Sequence, residues 1–82
     1  TFRQGDADLV EITLASDSPV AGQRVGDQNW PEDTALVAIV RGERVITPSS
    51  DDPLEVGDEL VFVSAPHQES ALQNMLGHAT KK

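Results

Sequence analysis

At 82 residues with a formal net charge of −8, the chain has the size of one small, acidic domain. Its charge repels phosphate backbones and anionic lipid head groups, which disfavours nucleic-acid binding and direct binding to a membrane surface. No apolar stretch approaches the roughly 20 residues that span a bilayer, so we expect no direct membrane insertion, and any membrane association should come through a partner. The absence of cysteine excludes disulfides and thiolate sites and favours a cytoplasmic location.

The N-terminal residues indicate a linker followed by a strand. Residues 1–8 are mostly polar, and we expect them to be a flexible segment or linker. Because the chain opens at Thr1 without an initiator Met, we also expect an upstream part in a longer protein. Val10, Ile12 and Leu14 then alternate with other residues, and this period of two predicts a strand with one face in solvent.

A short helix is predicted next. Ser18 can accept hydrogen bonds from free backbone amides, and Pro19 suits the first helical position because the donor that it lacks is not used there. This pair predicts a helix from Pro19 to about Arg24. Gly26 is expected to end the helix by taking the left-handed conformation that other residues avoid.

The middle of the chain predicts a central strand and a hairpin. A strand should begin near Thr34, because residues 35–40 form an uninterrupted apolar run of the kind found where both faces of a strand are covered. Residues 41–44 read Arg-Gly-Glu-Arg, and Gly42 stands at the first central position of a two-residue type II′ turn. A third, antiparallel strand is therefore predicted, and it should be short because Pro48 cannot donate to a ladder.

The last predicted elements are a fourth strand and a helix. Residues 60–63, Leu-Val-Phe-Val, follow a Gly-Asp turn at residues 57–58 and predict the strand. Pro66 restarts helical structure, and the next apolar side chains share one helical face: Leu72, Met75 and Leu76. The predicted order is β-α-β-β-β-α, an α+β fold with a small four-stranded, mainly antiparallel sheet and two helices.

The sequence contains no recognisable catalytic constellation. A hydrolase or transferase needs a nucleophile beside a base, but the only histidines, His67 and His78, lie at opposite ends of the last predicted helix. About eleven residues of helix separate them by roughly 16 Å, so they cannot form one site in a monomer. We therefore expect no enzymatic activity, and we interpret His78 as a surface residue that suits a helix C-terminus.

Metal and cofactor sites are not expected either. The acidic positions Asp51, Asp52, Glu55 and Asp58 suggest hard-cation ligands, but their spacing does not follow an EF-hand, which favours a solvated acidic loop over a calcium site. Neither a GxGxxG motif nor a P-loop is present, and no cofactor is expected in this chain. Trp30 is open to two interpretations, a lid over the core or a contact to a ligand.

Five segments occur in an order that is fairly specific when they are taken together: Ser18–Gln23, Trp30–Glu32, Leu36–Gly42, Ile46–Pro48 and Leu54–Val63. In this pattern the chain resembles the RCK C-terminal domain, also called the TrkA C-terminal domain, of bacterial potassium uptake regulators. The resemblance implies a regulatory domain at residues 9–77 and a tail at residues 78–82. It also implies a cytoplasmic position beside a membrane cation transporter, an upstream nucleotide-binding domain, and pairing of two copies as a homodimer.

The resemblance also implies a place for a small-molecule or nucleotide ligand. Some members bind one, in certain cases cyclic di-AMP, between paired domains near the start of the second strand. Members that bind the dinucleotide tend to offer an Arg and an Asn there, whereas residues 29–35 carry Glu32 and Asp33 and no cation. A phosphate would meet like charge at that point. We therefore expect an anionic ligand to use a cleft beside the second strand, lined by Trp30, Leu36, Ile39, Arg41 and Arg44.

Two functions remain open at this point. The first is a ligand-responsive, dimerising regulatory domain of a potassium or other cation transport system. The second is a constitutive assembly module with no ligand of its own, which the acidic residues before the second strand favour. In that case Arg41 and Arg44 keep the hairpin soluble and pair with Glu43 or another nearby acid.

Overall fold

The computed structural model describes residues 7–77. Most of the linker expected at residues 1–8, together with His78 and the tail at residues 78–82, lies outside the described residues, while Asp8 already belongs to the first strand. The regular elements are β1 (Asp8–Thr13), a 3₁₀ helix (Val25–Asp27), β2 (Thr34–Arg41), β3 (Arg44–Ile46), β4 (Glu59–Ser64), a second 3₁₀ helix (Pro66–Gln68) and α1 (Glu69–Met75). In this part of the chain, no helix has the length and apolar character needed to cross a membrane.

The four strands form one sheet in the order β1-β4-β2-β3, and every neighbouring pair is antiparallel. This confirms the predicted four-stranded antiparallel sheet with β2 in its interior. The last strand in the sequence, β4, is also interior, and its Phe62 pairs with Val10 on one side and with Leu36 on the other. Its side chains alternate between half-buried and buried, as expected for a strand whose second face lies on the core.

The hydrophobic core lies on one side of the sheet. Alternate residues of β1 and β4 point into it, and α1 covers it with Leu72 and Leu76, which share a helix face because they are four residues apart. The buried hydrophobic residues are Val10, Ile12, Leu14, Val20, Ile39, Leu54, Leu60, Phe62, Leu72 and Leu76. Each side chain of this type contributes about 1.5 to 3 kcal/mol when it is fully buried. The alternation that predicted β1 therefore marks core-facing residues.

The helix predicted from Pro19 to about Arg24 is wrong, because this segment forms turns. The Gly22 amide donates a hydrogen bond of 2.6 Å to the Leu54 carbonyl and so is not available to a helix. Gly22 also has a φ of 84°, which ends a right-handed helix at that residue. Among the described residues there is consequently one α-helix, α1, and the predicted β-α-β-β-β-α order with two helices is not confirmed.

Glycines are required at two further places, the first 3₁₀ helix and the hairpin between β2 and β3. Gly26 is not in the left-handed conformation expected for it; instead, a Cβ at this position would lie 2.7 Å from the Ser50 Cβ, so glycine permits the first 3₁₀ helix to approach the loop around Ser50. Gly42 has a φ of 63° at the hairpin tip, where Arg41 pairs with Arg44 across a two-residue loop. The predicted hairpin between β2 and β3 is confirmed.

Candidate functional site

An ion pair between Arg41 and Asp58 connects the end of β2 to the residue before β4. Asp58 is 1% exposed, and its two carboxylate oxygens each accept a hydrogen bond of 2.8 Å, one from Arg41 Nε and one from Arg41 Nη2. The Glu55 amide donates a further hydrogen bond of 3.0 Å to the same carboxylate. The two-point contact is strong for an ion pair because both hydrogen bonds join charged groups in a fixed geometry.

This network holds both groups in their charged forms. Burial acts to raise the pKa of Asp58, but the hydrogen bonds from Arg41 and from the Glu55 amide outweigh it and hold this pKa below its ordinary value. The same hydrogen bond to Asp58 raises the pKa of Arg41. Arg41 Nη1 also lies 3.3 Å from Glu55, and Nη2 donates to the Pro53 carbonyl at 3.1 Å. Its guanidinium is thus bound to the loop of residues 53–58, and an anionic ligand would compete with Asp58 for it.

The remaining residues of the predicted cleft lie in different surroundings. The Trp30 ring is half-buried with its centroid 5.4 Å from that of Phe62, at an interplanar angle of 62°, and Leu36 pairs with Phe62 across β2 and β4. Ile39 is fully buried in the core, whereas Arg44 is exposed at the hairpin. Since a strand rises about 3.3 Å per residue, Leu36 lies roughly 17 Å from the end of β2. The structure therefore groups Trp30 with Leu36 and leaves the arginines at the other end of the strand.

Asp58 is the site residue that sequence reasoning missed. The expected solvated acidic loop fits Asp51, which is exposed, and Asp52, which accepts a hydrogen bond of 2.9 Å from the Ser49 amide. It does not fit Asp58, which is buried against Arg41. The two residues are 17 positions apart in the sequence, and only the pairing of β2 with β4 brings them together.

Neither a metal site nor a pocket is present among residues 7–77. Within this range, no group of three or more His, Asp and Glu side chains is arranged to hold a metal ion. The surface formed by the same residues contains no pocket. His67 is exposed on the second 3₁₀ helix.

The side of the sheet away from the core forms a second surface, which we call the outer face. Directly paired residues of antiparallel strands point to the same side, so the register assigns its members, and Val37, which has no partner in β4, is included because it adjoins Ala38 at the bulge of β2. They are Leu9, Glu11 and Thr13 of β1, Glu59, Val61 and Val63 of β4, Ala35, Val37, Ala38 and Val40 of β2, and Val45 of β3. Leu9, Val37 and Val45 are 59%, 45% and 76% exposed. Within a single chain, therefore, the core covers β2 on one side and the outer face stays partly open.

Two carboxyl pairs join β1 to its neighbours. On the outer face, Glu11 lies diagonally across from Glu59, and a hydrogen bond with Glu11 raises the pKa of Glu59. At the start of α1, a hydrogen bond with Asp8 raises the pKa of Glu69. Two carboxyl groups can form a hydrogen bond only when they share a proton, so both contacts strengthen as pH falls.

Comparison with known proteins decides the family. A family model described as the TrkA-C domain matches residues 9–77. The chain belongs to the TrkA-C domain family. This confirms the family that the ordered sequence segments indicate.

Among relatives of this TrkA-C domain are potassium uptake proteins. It is 51% identical over 75 residues to the Trk system potassium uptake protein TrkA of Mycobacterium tuberculosis, a match that covers 92% of this chain and 34% of that protein. It is 33% identical over 65 residues to the Trk system potassium uptake protein TrkA of Halomonas elongata, covering 76% of this chain and 14% of that protein. The chain thus spans about a third or less of the length of these relatives.

Solved structures share the fold of this TrkA-C domain. An RCK domain with cda has a TM-score of 0.73 at 25% identity, and the match covers 83% of this chain and 96% of that chain. The RCK_C domain dimer of S. agalactiae BusR in complex with c-di-AMP has a TM-score of 0.76 at 24% identity, covering 87% and 97%. BusR in complex with its busA-promotor DNA has a TM-score of 0.78 at 23% identity, covering 96% and 41%. The sheet with its single flanking helix is therefore an RCK-like fold.

Proposed function

We propose that this TrkA-C domain is a regulatory, dimerising module of a potassium transport system. The observation that carries the proposal is the 51% identity to the M. tuberculosis TrkA over 92% of the chain, because such identity across nearly a whole domain supports a shared role. In the proposed setting the domain lies in the cytoplasm, follows a nucleotide-binding domain in a longer protein, and acts on a membrane cation transporter. It catalyses no reaction itself.

The proposed mechanism is a change in the geometry of two paired copies. A ligand that binds one geometry of the pair more tightly than another shifts the population toward it, typically by about 1 to 3 kcal/mol. Within each copy Ile39, Leu60 and Phe62 are fully buried, and a close-packed core moves as one body. A displacement at the contact between copies would therefore be passed to the attached domains.

We place the ligand contacts along β2, in the cleft between paired copies. Trp30 and Leu36 supply an aromatic and an apolar side chain at one end of the strand, Arg41 and Arg44 supply cations at the other, and Ile39 supports the strand from the core. A nucleotide combines an apolar base with anionic phosphates, which matches this order of contacts. The ligands named for the structural relatives, cda and c-di-AMP, support a nucleotide as the class to test first.

A constitutive assembly module without a ligand is the second candidate. Arg41 is bound to the buried Asp58, so one of the two proposed cations already has an anionic partner. Glu32 and Asp33 are exposed immediately before β2, where they repel phosphate. In this case the domain holds its upstream neighbours in a fixed arrangement and responds to nothing.

Thermal denaturation with added ligands separates the two candidates. A ligand that binds only the folded domain stabilises it by about 2.7 kcal/mol at a concentration of 100 times its Kd. Cyclic di-AMP, ATP and divalent cations are the probes, with Arg44→Ala as the variant expected to weaken nucleotide binding and Arg24→Ala as an exposed-arginine control. Melting temperatures that no probe changes would favour the constitutive module.

The role in potassium transport is tested in cells. We would replace the matching 75-residue segment of the M. tuberculosis TrkA by this domain and measure the rate of potassium uptake. Uptake close to that of the unmodified protein is expected. Uptake as low as in cells whose TrkA ends before the segment would contradict the proposed role.

A further inference from the structure

Two segments outside the sheet, residues 22–26 and 50–54, lie side by side and form an irregular structure that we call the ribbon. Backbone hydrogen bonds join the two segments at amide-to-carbonyl distances of 2.6 Å for Gly22 to Leu54, 2.8 Å for Leu54 to Gln23, and 2.9 Å for both Val25 to Asp52 and Gly26 to Ser50. We infer that the ribbon opens as one unit while the sheet stays folded, and that Arg41 is the side chain that holds it closed.

The ribbon has little burial to stabilise it. Leu54 is its one buried residue, Val25 and Asp52 are half-buried, and its other residues are exposed. In β4, by contrast, Leu60 and Phe62 are fully buried, and the strand is paired on both sides. Segments with few buried apolar side chains and exposed backbone hydrogen bonds open at a lower free energy than the core does. The ribbon should therefore open before the sheet.

The two segments of the ribbon depend on each other. Each of the hydrogen bonds given above runs from one segment to the other. Gly26 also lies so close to Ser50 that a Cβ on the glycine would be 2.7 Å from the Ser50 Cβ. Since neither segment is part of the sheet, separating them removes the partners of both at once. This arrangement favours one cooperative opening over several independent ones.

Arg41 attaches the ribbon to the sheet. Its Nη2 donates a hydrogen bond of 3.1 Å to the Pro53 carbonyl, and within residues 7–77 this is the one hydrogen bond between a strand and the ribbon. The guanidinium is already fixed by its two-point contact with the buried Asp58, so little further ordering is needed for the bond to Pro53. Arg44, which pairs with Arg41 across the hairpin, is exposed.

The ribbon also connects the two ends of β2. From Gly26 the chain continues through the first 3₁₀ helix to Trp30, which packs on Phe62 near the start of β2, whereas Arg41 lies at its end. In the proposed ligand response, an anion that draws Arg41 from Asp58 would open the ribbon and release the segment that carries Trp30. This consequence rests on the proposed function, whereas the ribbon and its attachment belong to the free domain.

Amide hydrogen exchange of the free domain, measured by NMR at one protein concentration, tests whether the ribbon is a unit. The amides of Gly22, Val25 and Leu54 should share one protection factor, about tenfold or more below that of the most protected amides of β4. Protection equal to that of β4 would mean that the ribbon opens only when the whole domain unfolds, and would overturn the inference. Three protection factors that differ from one another by more than about tenfold would overturn it as well.

Arg41→Gln tests the attachment, with Arg44→Gln as the matched control. Arg41→Gln should lower the protection of the three ribbon amides by about tenfold or more, while Arg44→Gln should change it by less than about twofold. Unchanged ribbon protection in Arg41→Gln would show that other contacts hold the ribbon closed. Should Arg41→Gln fail to fold, Arg41→Lys, which keeps the charge and loses the two-point contact, decides by the same comparison. Because no ligand is added, these rates decide the inference independently of the proposed ligand binding, which the melting temperatures test.

Discussion

Replacing Arg41 by Gln should destabilise the domain far more than a change at a hairpin end normally does. The substitution removes both 2.8 Å hydrogen bonds to Asp58 and leaves a carboxylate that is 1% exposed with the Glu55 amide as its partner. Removing one partner of a buried ion pair costs about 3 to 5 kcal/mol. Because the Arg41 side chain is 33% exposed, solvent screens the pair and we expect a smaller cost of about 2 to 3 kcal/mol. In a domain of this size that lowers the melting temperature by roughly 10 to 20 °C.

Urea unfolding at one fixed protein concentration measures the effect, since pairing would otherwise change the apparent stability. Arg44→Gln is the matched control, because it removes the same charge from the residue that faces Arg41 across the hairpin. Arg44 is exposed, so its replacement should change the free energy of unfolding by less than about 0.5 kcal/mol. Equal urea midpoints for the two variants at pH 7 would refute the stabilising role of the Arg41 and Asp58 pair.

The same variant should alter the response to acid. In the unmodified domain the pKa of Asp58 is lowered below its ordinary value of 3.8, so the stability from its ion pair is full above that value and is lost as pH falls through the folded-state pKa. Without the hydrogen bonds from Arg41, the effect of burial on Asp58 is less compensated, and the pKa of this carboxyl group should rise. The difference in stability between the two proteins should therefore narrow as pH falls below about 4.

Three further changes test other parts of the structure. Glu59→Gln should raise the melting temperature at pH 7 and not at pH 4. The pKa of Glu59 is raised above 4.5, so the stability from the proton that it shares with Glu11 is lost as pH rises through that raised value. A difference in melting temperature that does not depend on pH would contradict the shared proton. Gly26→Ala should lower the free energy of unfolding in urea by about 1 to 3 kcal/mol, since the new Cβ would lie 2.7 Å from the Ser50 Cβ and 2.9 Å from the Ser50 carbonyl oxygen. An unchanged urea midpoint would show that the loop around Ser50 moves to accommodate the methyl group. Trp30→Ala should lower the free energy of unfolding by about 2 kcal/mol, because the ring packs on Phe62. Unfolding is measured by circular dichroism, since Trp30 is the only tryptophan and the variant has no tryptophan fluorescence. A decrease under about 0.5 kcal/mol would mean that the ring contributes little to stability.

The strands could be predicted because their signals are local. The alternation of Val10, Ile12 and Leu14 identifies β1 and its buried side. The apolar run at residues 35–40 identifies β2, and Gly42 at the hairpin tip sets the register of β2 with β3. Each of these patterns depends on neighbours that are adjacent in the chain or separated by a two-residue turn.

The remaining features depend on contacts between distant segments. Ser18 and Pro19 form a valid helix-start signal, but the Gly22 amide bonds to the Leu54 carbonyl and the local preference is overridden. Likewise, Asp58 is indistinguishable from a loop acid until the pairing of β2 with β4 brings Arg41 to it. The position of β4 between β1 and β2 has no local signal of its own.

The regulatory pair itself is tested most directly by sedimentation equilibrium of the unmodified chain with and without cyclic di-AMP. We predict a dimer of the 8.8 kDa chain, with an association that tightens by about 5- to 150-fold when the nucleotide is present, the range typical of coupled binding. The chain is measured at about 100 µM, a concentration at which dimers with a Kd in the micromolar range are largely formed. A single species of 8.8 kDa at that concentration, with and without the nucleotide, would contradict the proposed pairing.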